Sequence, residues 1–155
     1  MGNSLRREIQ QSKPFSSLEE EVFLALLRTA GVLEQAVAVR LKACGLTTTQ
    51  YNVLRILRGS EPEPLTCGEV GKRMVTPVPD VTRLVDRLER SGLARRERAQ
   101  TDRRIVMVRI TATGLEVLED LDGPVDDWLR DLLGHLSRDE LARLNQLLES
   151  ARSCL

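Results

Sequence analysis

Val81-Thr82-Arg83-Leu84-Val85-Asp86-Arg87-Leu88-Glu89-Arg90-Ser91-Gly92-Leu93 is the stretch on which the fold turns. Val81, Leu84, Val85 and Leu88 recur at i, i+3, i+4 and i+7, which gathers them into one apolar stripe along a helix. Thr82, Arg83, Asp86, Arg87 and Arg90 fall off that stripe. Gly92 follows at once, a residue that accepts the left-handed conformation of a helix stop. A helix anchored by one face and showing arginine, threonine and a carboxylate on the other is suited to reading a polar surface. The major groove of duplex DNA is wide enough to admit such a helix.

Upstream, Leu65-Thr66-Cys67-Gly68-Glu69-Val70 combines an N-cap, its reciprocal glutamate and an apolar staple, and predicts a short helix ending near Met74. The helix of the opening stretch is expected to begin within Thr76-Pro77-Val78-Pro79, because proline is tolerated in a first turn. Ser60-Glu61-Pro62-Glu63-Pro64 reads as a loop. Before it, Leu46-Thr47-Thr48-Thr49-Gln50-Tyr51 starts a helix that carries Leu54 and Leu57 and stops near Gly59. Ser17-Leu18-Glu19-Glu20 has the same capping form and opens a helix of about seven turns that Gly45 ends. That helix is apolar over more than half its circumference, which suggests burial against more than one neighbour. Residues up to Phe15 have weak periodicity and read as an arm of uncertain order.

Downstream of Gly92 the period changes. Residues 93–98 and 104–110 read as strands, the second alternating through Val106, Val108 and Ile110, with Ala99-Gln100-Thr101-Asp102-Arg103 as the hairpin loop. Thr111-Ala112-Thr113-Gly114 leads into a long helix that Gly123-Pro124 should kink or interrupt. Leu136-Ser137-Arg138-Asp139-Glu140-Leu141 starts the last one. The fold class is therefore mainly α with a small β-hairpin wing. A winged helix-turn-helix lobe spans about residues 46–112, flanked by helices at about 17–45 and 113–155 and an arm at 1–16. The flanking helices are too apolar for the lobe alone and are expected to dimerise.

Composition narrows the function classes. The 155-residue chain is about one domain long, is 41% hydrophobic and 30% charged, and has a formal net charge of zero. That total hides a direction. Residues 68–110 hold eleven Arg and Lys against six Asp and Glu, whereas residues 111–155 hold four against ten. A basic middle beside an acidic end orients the field towards a polyanion. No uninterrupted apolar run approaches the roughly 20 residues of a membrane helix, the longest being about 22–27, and no signal peptide or lipidation motif is expected. The expected compartment is the cytoplasm, without membrane attachment. Cys44, Cys67 and Cys154 are odd in number and far apart, so they suit reduced thiols better than disulfides or zinc, with a redox-sensing thiol as the other possibility. There is no phosphate loop, nucleophile elbow, metal-ligand cluster or Ser/His/Asp set, so no enzyme activity, cofactor or metal is expected. Aromatic residues at 3% argue against a single-strand stacking platform.

The run from Val81 to Leu93, then Asp102-Arg103-Arg104, then Ile110-Thr111-x-x-Gly114, resembles the signature of the MarR family, the multiple antibiotic resistance regulators. The resemblance extends from about Leu18 to the end of the chain. It implies a two-fold homodimer that binds double-stranded DNA, with one helix of each lobe in the major groove and the wing in the adjacent minor groove. By position, Val78, Asp80, Thr82, Arg83 and Arg87 match helix residues used for bases and phosphates. Asp102 and Arg104 match the wing's Asp-x-Arg, and Arg103 adds a phosphate contact. Pro77-Val78-Pro79-Asp80 departs from the family's small polar helix start, and Asp80 is expected to accept from a cytosine amino group. The resemblance further implies a transcriptional regulator, more often repressor than activator, released by a small aromatic or phenolic ligand, with Tyr51 and Trp128 as candidate lining. The competing readings are a winged-helix adaptor for other proteins and a thiol-triggered regulator. For Arg83 and Arg87 the bland alternative is a solvated face paired with Asp86 and Glu89.

Overall fold

The computed structural model describes residues 4–99, 102 and 104–153. The chain divides into two compact units, Met1–Thr48 and Thr49–Leu155. The first holds α1 (Ser4–Glu8) and α2 (Leu18–Ala43). The arm expected at residues 1–16 thus contains a short helix, joined by a hydrogen bond from Arg6 Nη2 to the Ser12 carbonyl at 2.7 Å. Ser17 caps α2 by accepting the Glu20 N–H, as its sequence predicts. The Glu20 carboxylate, however, takes the Ser16 N–H and hydroxyl instead of closing the box on Ser17. Those bonds hold the Glu20 carboxyl below the usual carboxylate range, the Ser16 hydroxyl contributing most.

α2 corrects one sequence expectation. By length and composition it is long and apolar enough to cross a membrane, with a mean hydropathy of 1.6 over its most apolar 18 residues. Counting uninterrupted apolar runs missed this, because Arg28 and Glu34 break the run without much lowering the average. None of that segment is buried within the single chain.

The second unit contains α3 (Thr48–Ser60, its first residue shared with the boundary), β1 (Leu65–Thr66), α4 (Cys67–Arg73), α5 (Val81–Arg90), β2 (Ala94–Arg98), β3 (Val106–Ile110), α6 (Ala112–Leu133) and α7 (Arg138–Arg152). The strands form one antiparallel sheet in the order β1-β3-β2. β1 is an addition to the expected hairpin: Leu65 pairs with Val108 and Thr66 with Met107. Two residues are too few to show a period, so this strand was silent in the sequence. Val53, Leu54 and Leu57 of α3, Val70 of α4, Val85 and Leu88 of α5, and Val108 of β3 are almost wholly buried. Each such leucine or valine contributes about 1.5–3 kcal/mol of apolar burial. Leu54, Leu57, Val85, Leu88 and Val108 are residues that the periodicities of 3.6 and 2 select, and Val53 is one that the sequence reading did not single out.

α6 runs on through Pro124, so of the kink or interruption expected at Gly123-Pro124 the interruption does not occur. Proline removes one helical hydrogen bond at a cost of about 3 kcal/mol. Leu118, Leu121 and Val125, buried on either side of it, hold the helix on one face. A bidentate pair from Arg58 of α3 to Asp122 of α6, at 2.8 and 2.9 Å, fastens the same segment.

Candidate nucleic-acid interface

Thr66 and Glu69 make the predicted reciprocal capping box that starts α4. The turn after α4 is tied to α3 by the Val75 N–H, which donates to Asn52 Oδ1 at 2.9 Å. α5 begins at Val81, not within residues 76–79 as expected. Pro77 and Pro79 stay in the turn, and Asp80 is the N-cap. Proline at 79 disfavours the helical conformation for Val78 before it, while aspartate is among the best caps. Leu84, Val85 and Leu88 face the core; Thr82, Arg83, Arg87 and Arg90 are exposed, and Val78 is half-buried ahead of the helix. Gly92, at φ 73°, closes the helix in the left-handed region.

Asp80 and Arg83 are brought together. The Arg83 N–H donates to Asp80 Oδ1 at 2.9 Å, and Arg83 Nε lies 3.2 Å from Asp80 Oδ2. The carboxylate that sequence reading assigned to a cytosine is therefore engaged by an arginine of its own helix.

Arg96 of β2 is the residue that sequence reading missed. Its Nη1 pairs with Asp86 Oδ1 at 2.5 Å and with Glu89 Oε2 at 2.8 Å. Its Nη2 donates to the Thr82 carbonyl at 3.2 Å, and its backbone N–H donates to Glu89 Oε1 at 3.1 Å. One guanidinium thus spans α5 from Thr82 to Glu89 and binds the wing to it. Burial works against the charge on Arg96, but its hydrogen bonds to the Asp86 and Glu89 carboxylates outweigh it and raise the pKa. Asp86 and Glu89 had looked like partners for Arg83 and Arg87 at helical spacing. Their engagement by Arg96 leaves Arg87 without a salt bridge among the described residues. The signal in the sequence was two carboxylates three apart on α5 and an arginine beyond the turn, but only the folded hairpin brings them within reach.

In the wing, the Ala99 N–H donates to the Ile105 carbonyl at 3.0 Å, prolonging the strand pairing. Asp102 Oδ1 accepts the Arg104 N–H at 2.9 Å, which fixes the backbone that carries the exposed Arg104 side chain. Gln100, Thr101 and Arg103 lie outside the described residues. At the wing's root, Arg109 reaches Glu61 at 3.0 Å and the Pro62 carbonyl at 2.6 Å. Tyr51 is half-buried with the Arg55 guanidinium 5.9 Å above its ring, and Trp128 is half-buried on α6. Cys44 is exposed, Cys67 is half-buried, and Cys154 lies outside the described residues. Among the described residues, no group of three or more His, Cys, Asp or Glu is placed to hold a metal.

This arrangement recurs in known proteins. The sequence pattern of the MarR family matches residues 45–105. The HTH-type transcriptional regulator YcgE of Bacillus subtilis is 35% identical over 127 residues, covering 79% of each chain. The chain belongs to the MarR family. A MarR transcription factor from Planctomyces limnophilus is 39% identical, with a TM-score of 0.67 over 88% of this chain and 98% of its own. A mutant MarR from E. coli, crystallised with operator DNA, is 26% identical with a TM-score of 0.78, over 88% and 99% of the two chains. Family membership makes the chain a MarR-type transcriptional regulator of winged-helix fold, the class its sequence resembles.

Proposed function

We propose that this MarR-family chain acts as a homodimer on a pseudopalindromic double-stranded operator, represses transcription there, and is released by a small aromatic or phenolic ligand. The observation that carries the reading is the geometry of one lobe. Arg96 ties β2 to α5, so one lobe carries the exposed Thr82, Arg83 and Arg87 of the helix together with the wing's Arg104. Arginine suits both bidentate reading of guanine and insertion into a narrow minor groove. On this reading Val78, Asp80, Thr82, Arg83, Arg87, Asp102, Arg103 and Arg104 face the DNA. Residues 46–112 are then the DNA-binding lobe, and 17–45 and 113–155 the dimerisation region.

Uncovered apolar side chains support the dimer. Phe23, Leu27 and Val39 on α2 and Leu147 on α7 are all more than half exposed in the single chain. A bilayer is a poor cover for α2, since Arg28 and Glu34 would each cost roughly 2.5–3.5 kcal/mol near its centre. A second protein chain covers it at no such cost, in keeping with a cytoplasmic protein. Exposed Cys44 supports a thiol trigger as the alternative to a ligand.

The test is fluorescence anisotropy on duplexes selected from a random pool, in roughly 150 mM salt with non-specific competitor. Two-fold-symmetric binding at a Kd near 10⁻⁸–10⁻¹¹ M is expected (the range is about that of specific sites). Binding that competitor erases would leave a protein-interaction adaptor as the better account. Sedimentation of the same sample should give twice the mass of 17.4 kDa.

A further inference from the structure

We propose that Asp80 is a specificity-determining positioning residue: it holds Arg83 so that the outer edge of the guanidinium meets a guanine. The inference rests on the DNA-binding reading above. Asp80 uses both carboxylate oxygens on one residue, Oδ1 for the Arg83 N–H and Oδ2 for Arg83 Nε. The first bond sets the carboxylate in the cap, and the carboxylate then draws the Arg83 Nε towards it as an ion pair. An arginine has five N–H donors in a planar fork. With Nε turned to Asp80, the edge formed by Nη1 and Nη2 is left for an outside acceptor pair. Arg83 is 80% exposed, so that edge meets solvent. The O6 and N7 of guanine are the acceptor pair this edge fits in the major groove.

Stability alone does not account for the carboxylate. Serine or asparagine caps a helix about as well as aspartate, and an exposed ion pair adds little. A negative charge at the mouth of a phosphate-facing helix works against binding unless it is matched. Asp80 is matched by Arg83, and Pro77 and Pro79 beside it have no N–H to offer a phosphate. Asp80 therefore acts through Arg83 and not on a cytosine.

The experiment uses the full-length protein and its selected operator, with each guanine of a half-site replaced in turn by 7-deazaguanine, which removes N7 and keeps base pairing. For the wild type, one position per half-site should weaken binding about 10- to 100-fold. Arg83→Ala should bind more weakly and be insensitive at that position. Asp80→Asn, which keeps the cap, should lose most of the same sensitivity at an unchanged urea midpoint, and Asp80→Ser gives a second cap-preserving variant. A merely structural Asp80 would not alter a single-base preference. The proposal is overturned if both Asp80 variants keep the wild-type penalty, or if no guanine is sensitive, or if Arg83→Ala retains the sensitivity. A protein that selects no operator removes the functional reading and this proposal together. An operator without the Asp80-dependent guanine removes this proposal alone.

Discussion

Replacing Gly114 by alanine sets two physical effects against each other, and the structure decides the sign. Gly114 is the third residue of α6, where helix propensity favours alanine by about 1 kcal/mol. A Cβ there would lie 2.3 Å from the Leu93 carbonyl oxygen and 2.7 Å from Ile110 Cγ1. Neither neighbour is the loose end of a long side chain. The Leu93 carbonyl must retreat by roughly an ångström to reach ordinary contact, yet it accepts the Thr111 N–H at 3.1 Å. Overpacking of this kind costs about 1–3 kcal/mol, and loosening the backbone bond adds about 1 kcal/mol. After the propensity gain, Gly114→Ala should destabilise the protein by about 1–3 kcal/mol, or lower Tm by about 3–10 °C for a chain this long. The assay is urea unfolding at fixed protein concentration, since the apparent stability of the proposed dimer would depend on it. Gly59→Ala in α3 is the control. Nothing lies within 4 Å of its added Cβ, so it should stabilise by about 0.5–1 kcal/mol. If Gly114→Ala proves as stable as the wild type, the close approach of α6 to the end of α5 is not as described.

Arg96→Met should lower stability by about 1–2 kcal/mol through lost charge-assisted bonds, discounted for partial exposure. It should also weaken operator binding, more at low salt than at high, because Asp86 and Glu89 are left unpaired beside phosphates; adding Asp86→Asn and Glu89→Gln should restore part of the affinity. A deficit independent of salt, seen in anisotropy titrations, would rule out the electrostatic part of this account. Arg104→Ala should cost about 1–3 kcal/mol of operator binding and leave the dimer intact; unchanged affinity would take the wing out of the interface. Acid should weaken the fold through Glu69, Glu140 and Asp122. Backbone bonds from the caps hold the two glutamates below the ordinary range, and a hydrogen bond from Arg58 does the same for Asp122. Because these folded pKa values are depressed, their stabilisation is present above the unfolded values and is lost as pH falls through the folded ones. Glu140→Gln should flatten the decline of the urea midpoint below about pH 4.5, and a slope equal to the wild type would show that the box does not contribute.

What the sequence disclosed depended on how local each signal is. Thr66 with Glu69 and Ser137 with Glu140 were legible because both partners of each cap lie within one turn. The buried faces of α3 and α5 were legible because periodicity reports them residue by residue. The start of α5 was misread for a related reason. Two prolines made the helix look as if it began earlier than it does. Arg96 was out of reach, since its partners lie seven to fourteen residues back across a helix stop and a change of period. β1 gave no pattern at all, and its pairing with β3 spans more than forty residues.

That pairing decides where the lobe can change over evolution. Leu65 and Thr66 hold β3 from the side opposite β2, so the root of the wing is seated on both flanks whatever the tip does. Residues inserted between Arg98 and Val106 enter a closure already held at its base, and doubling such a segment costs only about 0.6 kcal/mol. A residue inserted between Leu65 and Thr66 has no such freedom, because within the paired strand a slip of one position turns inward-facing side chains out. Descendants of this chain can therefore lengthen or shorten the wing by editing its tip, while α5 keeps its seat.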